Sequence, residues 1–286
     1  MSIGKTGNIT VKLPDGTDLD AKHQVTVIVT DHKKAPQQGK NVTVKGDLGQ
    51  SAAGKTDKNG ELTVPEVEQT ERHGVYIVGY TDGTFGPSRS MTRSEAAAIF
   101  ARLLAEKNGD TISTAANTKF ADIPAHAWYS GYVKYLANNG ITYGKSKTIF
   151  APNDAITRAE FTTMAVRFFD VYGDGDAEIM EQFSGFNDVS SGYWAAEYIK
   201  YAALHGWING YGDGSFHAER EINRAEVVTI VNRLLGREAD EDYIADNLRK
   251  LNTFPDVTKR HWAYYAVMEA ANAHTAVLGE SESWSK

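Results

Sequence analysis

The sequence predicts two domains of different class. Residues 1–72 read as a small β-sandwich. Residues 73–277 read as an all-α domain of helix-loop-helix repeats around a pseudo-threefold axis, and 278–286 as a polar tail. Three observations predict this. Short β-branched, alternating segments fill the chain before Gly74; after it one motif recurs three times at fixed spacing; and a second motif alternates with the first.

In the first part "ITVKL", "QVTVIVTD" and "NVTVKGD" alternate apolar and polar residues, with turn signals such as Pro14-Asp15-Gly16 between them. Asn59-Gly60, in "GKTDKNGELTVP", is a hairpin signal ahead of the strand "ELTVP".

The first repeated motif contains Phe85, Phe150 and Phe216, each followed eight residues later by Arg93, Arg158 or Arg224. Behind each arginine runs an apolar stripe at i, i+3, i+4, i+7 and i+8: Ala96 to Leu104, Phe161 to Phe169, and Val227 to Leu235. That spacing is one face of a helix packed into a core. These segments, 76–105, 147–170 and 213–236, are called B halves.

The alternating motif places Asp122, Asp188 and Asp256 six residues before Trp128, Trp194 and Trp262. Apolar residues follow each Trp at +5 and +8: Val133 and Leu136, Ile199 and Ala202, Val267 and Ala270. These A halves, 120–140, 186–206 and 254–275, are shorter amphipathic helices. Gly140 and Gly206 suit the C-termini of the first two, whereas His274 stands in the third. The order B-A-B-A-B-A leaves one half unpartnered at each end, and a lone helix pair cannot bury its apolar face. Closure of the last A half onto the first B half is therefore expected.

Composition narrows the function. The 286 residues carry a formal net charge of −7. Up to Arg72 there are 10 basic and 10 acidic residues, so the acidity lies in the repeats, with 20 basic against 27 acidic. Such a surface is a poor partner for nucleic acid phosphates. No stretch approaches a membrane span, and the start, "MSIGKTGNITVKL", has no apolar signal core. The expectation is an exported chain whose signal lies elsewhere and which is a piece of a larger protein. With no cysteine, thiol chemistry and Cys-based metal sites are excluded.

Catalytic and metal motifs are absent. There is no H-E-x-x-H, no G-x-S-x-G and no P-loop. Asp170, Asp174, Asp176 and Glu178 in "DVYGDGDAE" fail the EF-hand spacing and read as a solvated loop. No metal and no cofactor are expected.

Arg93, Arg158 and Arg224 raise the functional question. Thr92 with Glu95, Thr157 with Glu160, and Asn223 with Glu226 form capping-box signatures, so each arginine sits in a first helical turn. A cation there faces the positive end of the helix dipole. Each could swing to solvent, pair with an acid such as Asp122 or Asp188, or bind a ligand carboxylate with help from free helix N–H groups. Three copies in register favour binding. Trp128, Trp194 and Trp262 are best explained by core packing, with stacking on a ligand second. The Asp122, Asp188 and Asp256 set most simply caps or turns the start of each A helix. Gly79, Gly83, Gly210 and Gly214 read as permits for tight turns that also let a ligand approach the backbone.

These motifs resemble the S-layer homology (SLH) family, over about residues 74–277. The carriers are "VYIVGYTDGTFGPSRSMTRSE", "FADIPAHAWYSGYVKYLANNGITYG" and "INGYGDGSFHAEREINRAE". The resemblance implies a three-pronged domain and non-covalent anchoring of an exported protein to a secondary cell-wall polysaccharide, commonly pyruvylated, on a Gram-positive-type bacterium. It places the arginines in grooves between prongs. Groove lining is then expected from Gly79, Asp82, Gly83, Gly144, Lys145, Gly210, Asp213, Gly214, Trp128, Trp194 and Trp262. The second copy departs, with "TYGKSKTIF" in place of "GYTDGTF". The third has Ala218 where Pro87 and Pro152 stand in the others, and Asn223 as its cap. The β part resembles bacterial Ig-like or Cna-B-like surface modules. The chain is accordingly expected to be non-catalytic and to act as a wall anchor. The alternatives are a glycan-active enzyme fragment and a structural or adhesin scaffold whose β domain binds the partner.

Overall fold

The structure is a computed structural model that describes residues 8–12, 25–30, 35–36, 38–39, 41–45, 51–64, 69–172, 183–278 and 282–285. The chain separates into two compact units. The first comprises 1–72 with 275–286, and the second 73–274.

In the first unit β1 (Asn8–Lys12), β2 (Val25–Thr30) and β5 (Glu61–Val64) form an antiparallel sheet in the order β1-β2-β5. β3 (Asn41–Lys45) and β4 (Ser51–Lys55) form a separate antiparallel pair. The strands expected from alternation are thus present. The Asn59-Gly60 signal gives a turn but not a two-strand hairpin. The Asp57 carboxylate accepts from the Asn59 and Glu61 backbone N–H groups at 2.7 and 2.9 Å, and Gly60 takes φ 74°. The strands on either side, β4 and β5, belong to different sheets. A third sheet joins β6 (Gln69–His73), β7 (His274–Leu278) and β8 (Ser283–Ser285). The expected polar tail therefore includes a strand. Burial alternates along these strands, and Ala276, paired with Trp284, is buried with it.

The second unit is helical. Its B-half helices are α1 (Arg93–Asn108), α3 (Arg158–Tyr172) and α5 (Arg224–Leu235). Its A-half helices are α2 (Ser130–Asn138), α4 (Ala196–Leu204) and α7 (Tyr264–Ala271). A short helix α6 (Glu241–Asn247), which the repeat pattern does not announce, lies between α5 and α7. Thr92, Thr157 and Asn223 each accept from the backbone N–H of the glutamate three residues on, which bonds back to the cap's own N–H. The expected stripes are the core. Phe100, Phe161, Val227 and Val231 are fully buried, whereas Phe169 and Leu235 at the stripe ends are half-buried. Val133, Leu136, Ile199, Ala202, Val267 and Ala270 are buried as their spacing requires.

Three short segments preceding α1, α3 and α5 meet in a closed cycle. Met91 N–H donates to Ile222 O (2.9 Å), Ile222 N–H to Ile156 O (3.1 Å), and Ile156 N–H to Met91 O (2.9 Å). All three side chains are buried. The last A half closes onto the first B half: Tyr76 N–H donates to Ala270 O, and the Phe254 ring lies 5.3 Å from that of Phe85. Gly140 and Gly206 end their helices at φ 75° and 68°, but in the third copy α7 stops at Ala271 and His274 starts a strand.

Candidate functional site

Three equivalent cavities lie between the repeats. The first holds Gly79, Tyr80, Glu95, Arg102, Trp128 and Arg224, in about 240 Å³. The second holds Tyr143, Gly144, Glu160, Arg167, Trp194 and Arg93, in about 90 Å³. The third holds Gly210, Tyr211, Glu226, Arg233, Trp262 and Arg158, in about 220 Å³. Each therefore takes the helix of one B half and the turn that precedes that helix, the tryptophan of the A half that follows, and the first-turn arginine of another B half.

Those first-turn arginines are structural as well as electrostatic. Arg93, Arg158 and Arg224 are only 4%, 5% and 4% exposed. Their Nε–H groups donate to Phe150 O, Phe216 O and Phe85 O at 2.8, 2.9 and 2.8 Å. Each guanidinium also lies over the ring of that same phenylalanine, at 5.1, 4.5 and 4.7 Å. Arg93 pairs with Glu160 at 3.0 Å and Arg158 with Glu226 at 3.3 Å. Arg224 instead donates to Val78 O at 2.6 Å. Burial lowers the pKa of Arg158 and of Arg224. The acid partner of Arg93 and of Arg158 is thus the capping-box glutamate of the next repeat, neither Asp122 nor Asp188, whereas Arg224 turns to backbone carbonyls.

The helix N-termini are not open to an anion. Arg93 N–H donates to Asp154 O and Ser94 N–H to Pro152 O; Arg158 and Ala159 donate to Arg220 O and Ala218 O; Arg224 and Ala225 donate to Arg89 O and Pro87 O. The third N–H of each goes to its cap. Ring closure takes up the donors expected to be free.

The tryptophans correct the sequence reading most. Trp128, Trp194 and Trp262 are 53%, 56% and 66% exposed at the cavity walls rather than packed in the core. The apolar stripe begins after them, on the other side of the short helix.

Asp122, Asp188 and Asp256 do not cap their own helices. Asp122 accepts from Phe150 N–H and Ala151 N–H, Asp188 from Phe216 and His217, and Asp256 from Phe85 and Gly86, at 2.6–2.9 Å. Asp188 is destabilised as an anion by burial, but the Phe216 and His217 N–H groups outweigh this and lower its pKa. The second residue of each pair has positive φ: Gly86 67°, Ala151 57° and His217 55°.

Of the turn residues, Gly79, Gly144 and Gly210 line the cavities. A Cβ at Gly210 would stand 2.5 Å from the Phe186 ring and 2.7 Å from Ser215 O, and Gly79 and Gly144 are confined the same way by Phe254 and Phe120. Asp82, Gly83, Lys145, Asp213 and Gly214 lie outside these linings. Asp82 and Asp213 accept from Thr84 and Ser215, which lowers both pKa values. Lys145 pairs with Asp154 at 2.7 Å. Gly83 and Gly214 supply φ 83° and 80° to the turns. Asp170 is exposed near the end of α3, and residues 173–178 of the acidic stretch, including Asp174, Asp176 and Glu178, lie outside the described residues.

Sequence reasoning missed Arg102, Arg167 and Arg233, nine residues after the first arginines and in all three cavities. Arg102 and Arg167 are half-buried and Arg233 exposed. Arg102 lies over Tyr132 at 5.0 Å and Arg167 over Tyr198 and Tyr143 at 5.0 and 4.7 Å. The second arginine of the R-x8-R spacing was the available signal.

The S-layer homology domain family matches residues 63–97, 119–162 and 185–228. The repeat portion belongs to the S-layer homology family. The last A half lies beyond the third match, yet it completes the ring. Among relatives, cell surface glycoprotein 1 of Acetivibrio thermocellus is 34% identical over 218 residues, covering 73% of this chain and 9% of that protein. The cellulosome-anchoring protein of the same organism is 30% identical over 233 residues, 81% of this chain and 49% of the relative. The surface-layer 125 kDa protein of Lysinibacillus sphaericus is 32% identical over 163 residues, 56% and 13%. The SLH chain thus spans half or less of the length of these curated relatives. Among the described residues no helix is long and apolar enough to cross a membrane.

Proposed function

We propose that the SLH unit anchors an exported protein to the bacterial cell wall by binding an anionic secondary wall polysaccharide, non-covalently, in its three cavities. The observation that carries this is one constellation repeated three times: an exposed tryptophan, a buried arginine and a second, more accessible arginine. Each cavity combines two arginines with one glutamate, a net positive site on a chain whose net charge is −7. That pattern suits a carboxylate on a neutral sugar. The indole supplies a flat face for the sugar, and the accessible arginine supplies a bidentate fork for the carboxylate. A pyruvyl ketal carries such a carboxylate. Arg93, Arg158 and Arg224 contribute positive potential from the cavity floor and hold its shape. The names of the cellulosome-anchoring and surface-layer relatives point the same way.

The first unit is, in this reading, a small Ig-like sandwich with sheets β1-β2-β5 and β3-β4 as its two faces, serving as a spacer. No catalytic step is assigned to either unit.

Co-sedimentation with purified wall sacculi, before and after acid extraction of the secondary polymer, tests the anchoring role. The chain should pellet with intact sacculi and remain in solution with extracted ones. Equal pelleting with both would place the binding on peptidoglycan and overturn the assignment.

A further inference from the structure

Away from the three cavities, three buried side chains converge near the ends of the second unit. His73 is its first residue, His274 its last, and Glu269 projects from α7. They are 3%, 7% and 1% exposed. His73 Nδ1 lies 3.3 Å from Glu269 Oε1, and His274 Nε2 lies 3.3 Å from Glu269 Oε2. One ligand atom from each, an imidazole nitrogen or a carboxylate oxygen, lies within 4.8 Å of the others.

Neither Glu269 oxygen receives a hydrogen bond of acceptable geometry from the described residues. A buried carboxylate in that state is costly. The separations are also long for a strong direct pair. Charge-assisted N–H···O bonds run about 2.7–2.9 Å, whereas two ligands about 2.0–2.1 Å from a four-coordinate ion stand about 3.3–3.4 Å apart. The far side of His274 is set for ligation. Its Nδ1 lies 3.0 Å from the Asn272 carbonyl, which can only accept, so Nδ1 carries a proton, and Nε2 is the ring nitrogen that faces Glu269 and whose lone pair an ion would take. Asn272 is itself fixed, its amide donating to Met268 O at 2.9 Å and Asn252 O at 3.2 Å.

We propose that His73, Glu269 and His274 form a binding site for a divalent transition-metal ion of the zinc class. Two imidazoles and one carboxylate are the donor set that zinc accepts. The ion would link the first and last residues of the second unit to α7, the helix that closes the ring, so its role is structural. The carriers are 196 and 201 residues apart in sequence for His73 with Glu269 and with His274, which is why no ligand spacing announces them.

The test uses the full chain, stripped with a chelator and titrated with Co²⁺ and then Zn²⁺. One equivalent of Co²⁺ should give the intense visible absorbance of a low-symmetry site, which Zn²⁺ abolishes, and Zn²⁺ should raise Tm. Glu269→Gln should weaken binding by at least the ~10–100-fold that loss of an outer partner costs. His274→Asn, a second variant of similar bulk, should do the same. Absence of a one-equivalent Co²⁺ signal in the wild-type chain overturns the proposal and leaves a buried imidazolium–carboxylate cluster. Wild-type affinity in both variants also overturns it, placing the metal on other histidines. Because the wild-type titration is decisive alone, a variant that fails to fold does not remove the test.

Discussion

Asp256 reaches back across 171 residues to Phe85. Its carboxylate accepts the Phe85 N–H at 2.9 Å and the Gly86 N–H at 2.7 Å, as Asp122 and Asp188 do for the turns 28 residues ahead of them. A local contact in two repeats is thus the ring-closing contact in the third. Asp256→Ala should leave two backbone donors without their acceptor and cost about 1–3 kcal/mol. Denaturant unfolding followed by circular dichroism checks this. A change within ±0.5 kcal/mol, the range usual for an uninvolved surface residue, would contradict it.

The same turns hold Ala151 and His217 in the left-handed region that Gly86 occupies at no steric cost. Ala151→Gly should therefore stabilise the fold by up to about 1 kcal/mol, in spite of the greater freedom glycine gains on unfolding. A lower Tm for this variant would show that the strain is absent.

Gly210 behaves oppositely. The Phe186 ring and Ser215 O occupy the space a Cβ would need. Gly210→Ala should force the ring away and cost about 1–3 kcal/mol. It should also perturb the third cavity more than the other two, readable as a loss of polymer binding at one site of three.

Acid should loosen the ring through Asp188. Its pKa is lowered in the folded state, so its contribution is complete above the unfolded value of about 3.9 and is lost as pH falls through the folded value. The Asp188→Asn variant should show a shallower fall of Tm between about pH 4 and 2 than the wild-type chain. Parallel profiles would exclude that role.

Much of this fold was legible because it repeats. The eight-residue Phe-to-Arg interval and the +5/+8 apolar positions mark local helix faces, and local geometry survives in sequence. What the sequence could not display is direction. Trp128 reads as core because it adjoins a core stripe, but it precedes α2, and the residues that face inward begin beyond it. Asp122 reads as a cap because it precedes a helix, yet its partner is a turn 28 residues later. Arg93 reads as a free cation at a helix start, but its floor position depends on Phe150 and Glu160 of another repeat. In each case the missing fact is a contact between repeats. Arg102, Arg167 and Arg233 were overlooked for a simpler reason: arginine is an ordinary helix former, and inside a helix it attracts no question.

The most direct measurement is sacculus co-sedimentation of the Arg102/Arg167/Arg233→Ala triple variant beside the wild-type chain, with folding verified by circular dichroism. These arginines are more accessible than Arg93, Arg158 and Arg224, which hold the scaffold, so their loss should leave the ring folded. The expected result is a folded variant that no longer pellets with intact sacculi. A folded variant that pellets as the wild type does would contradict carboxylate recognition in the three cavities.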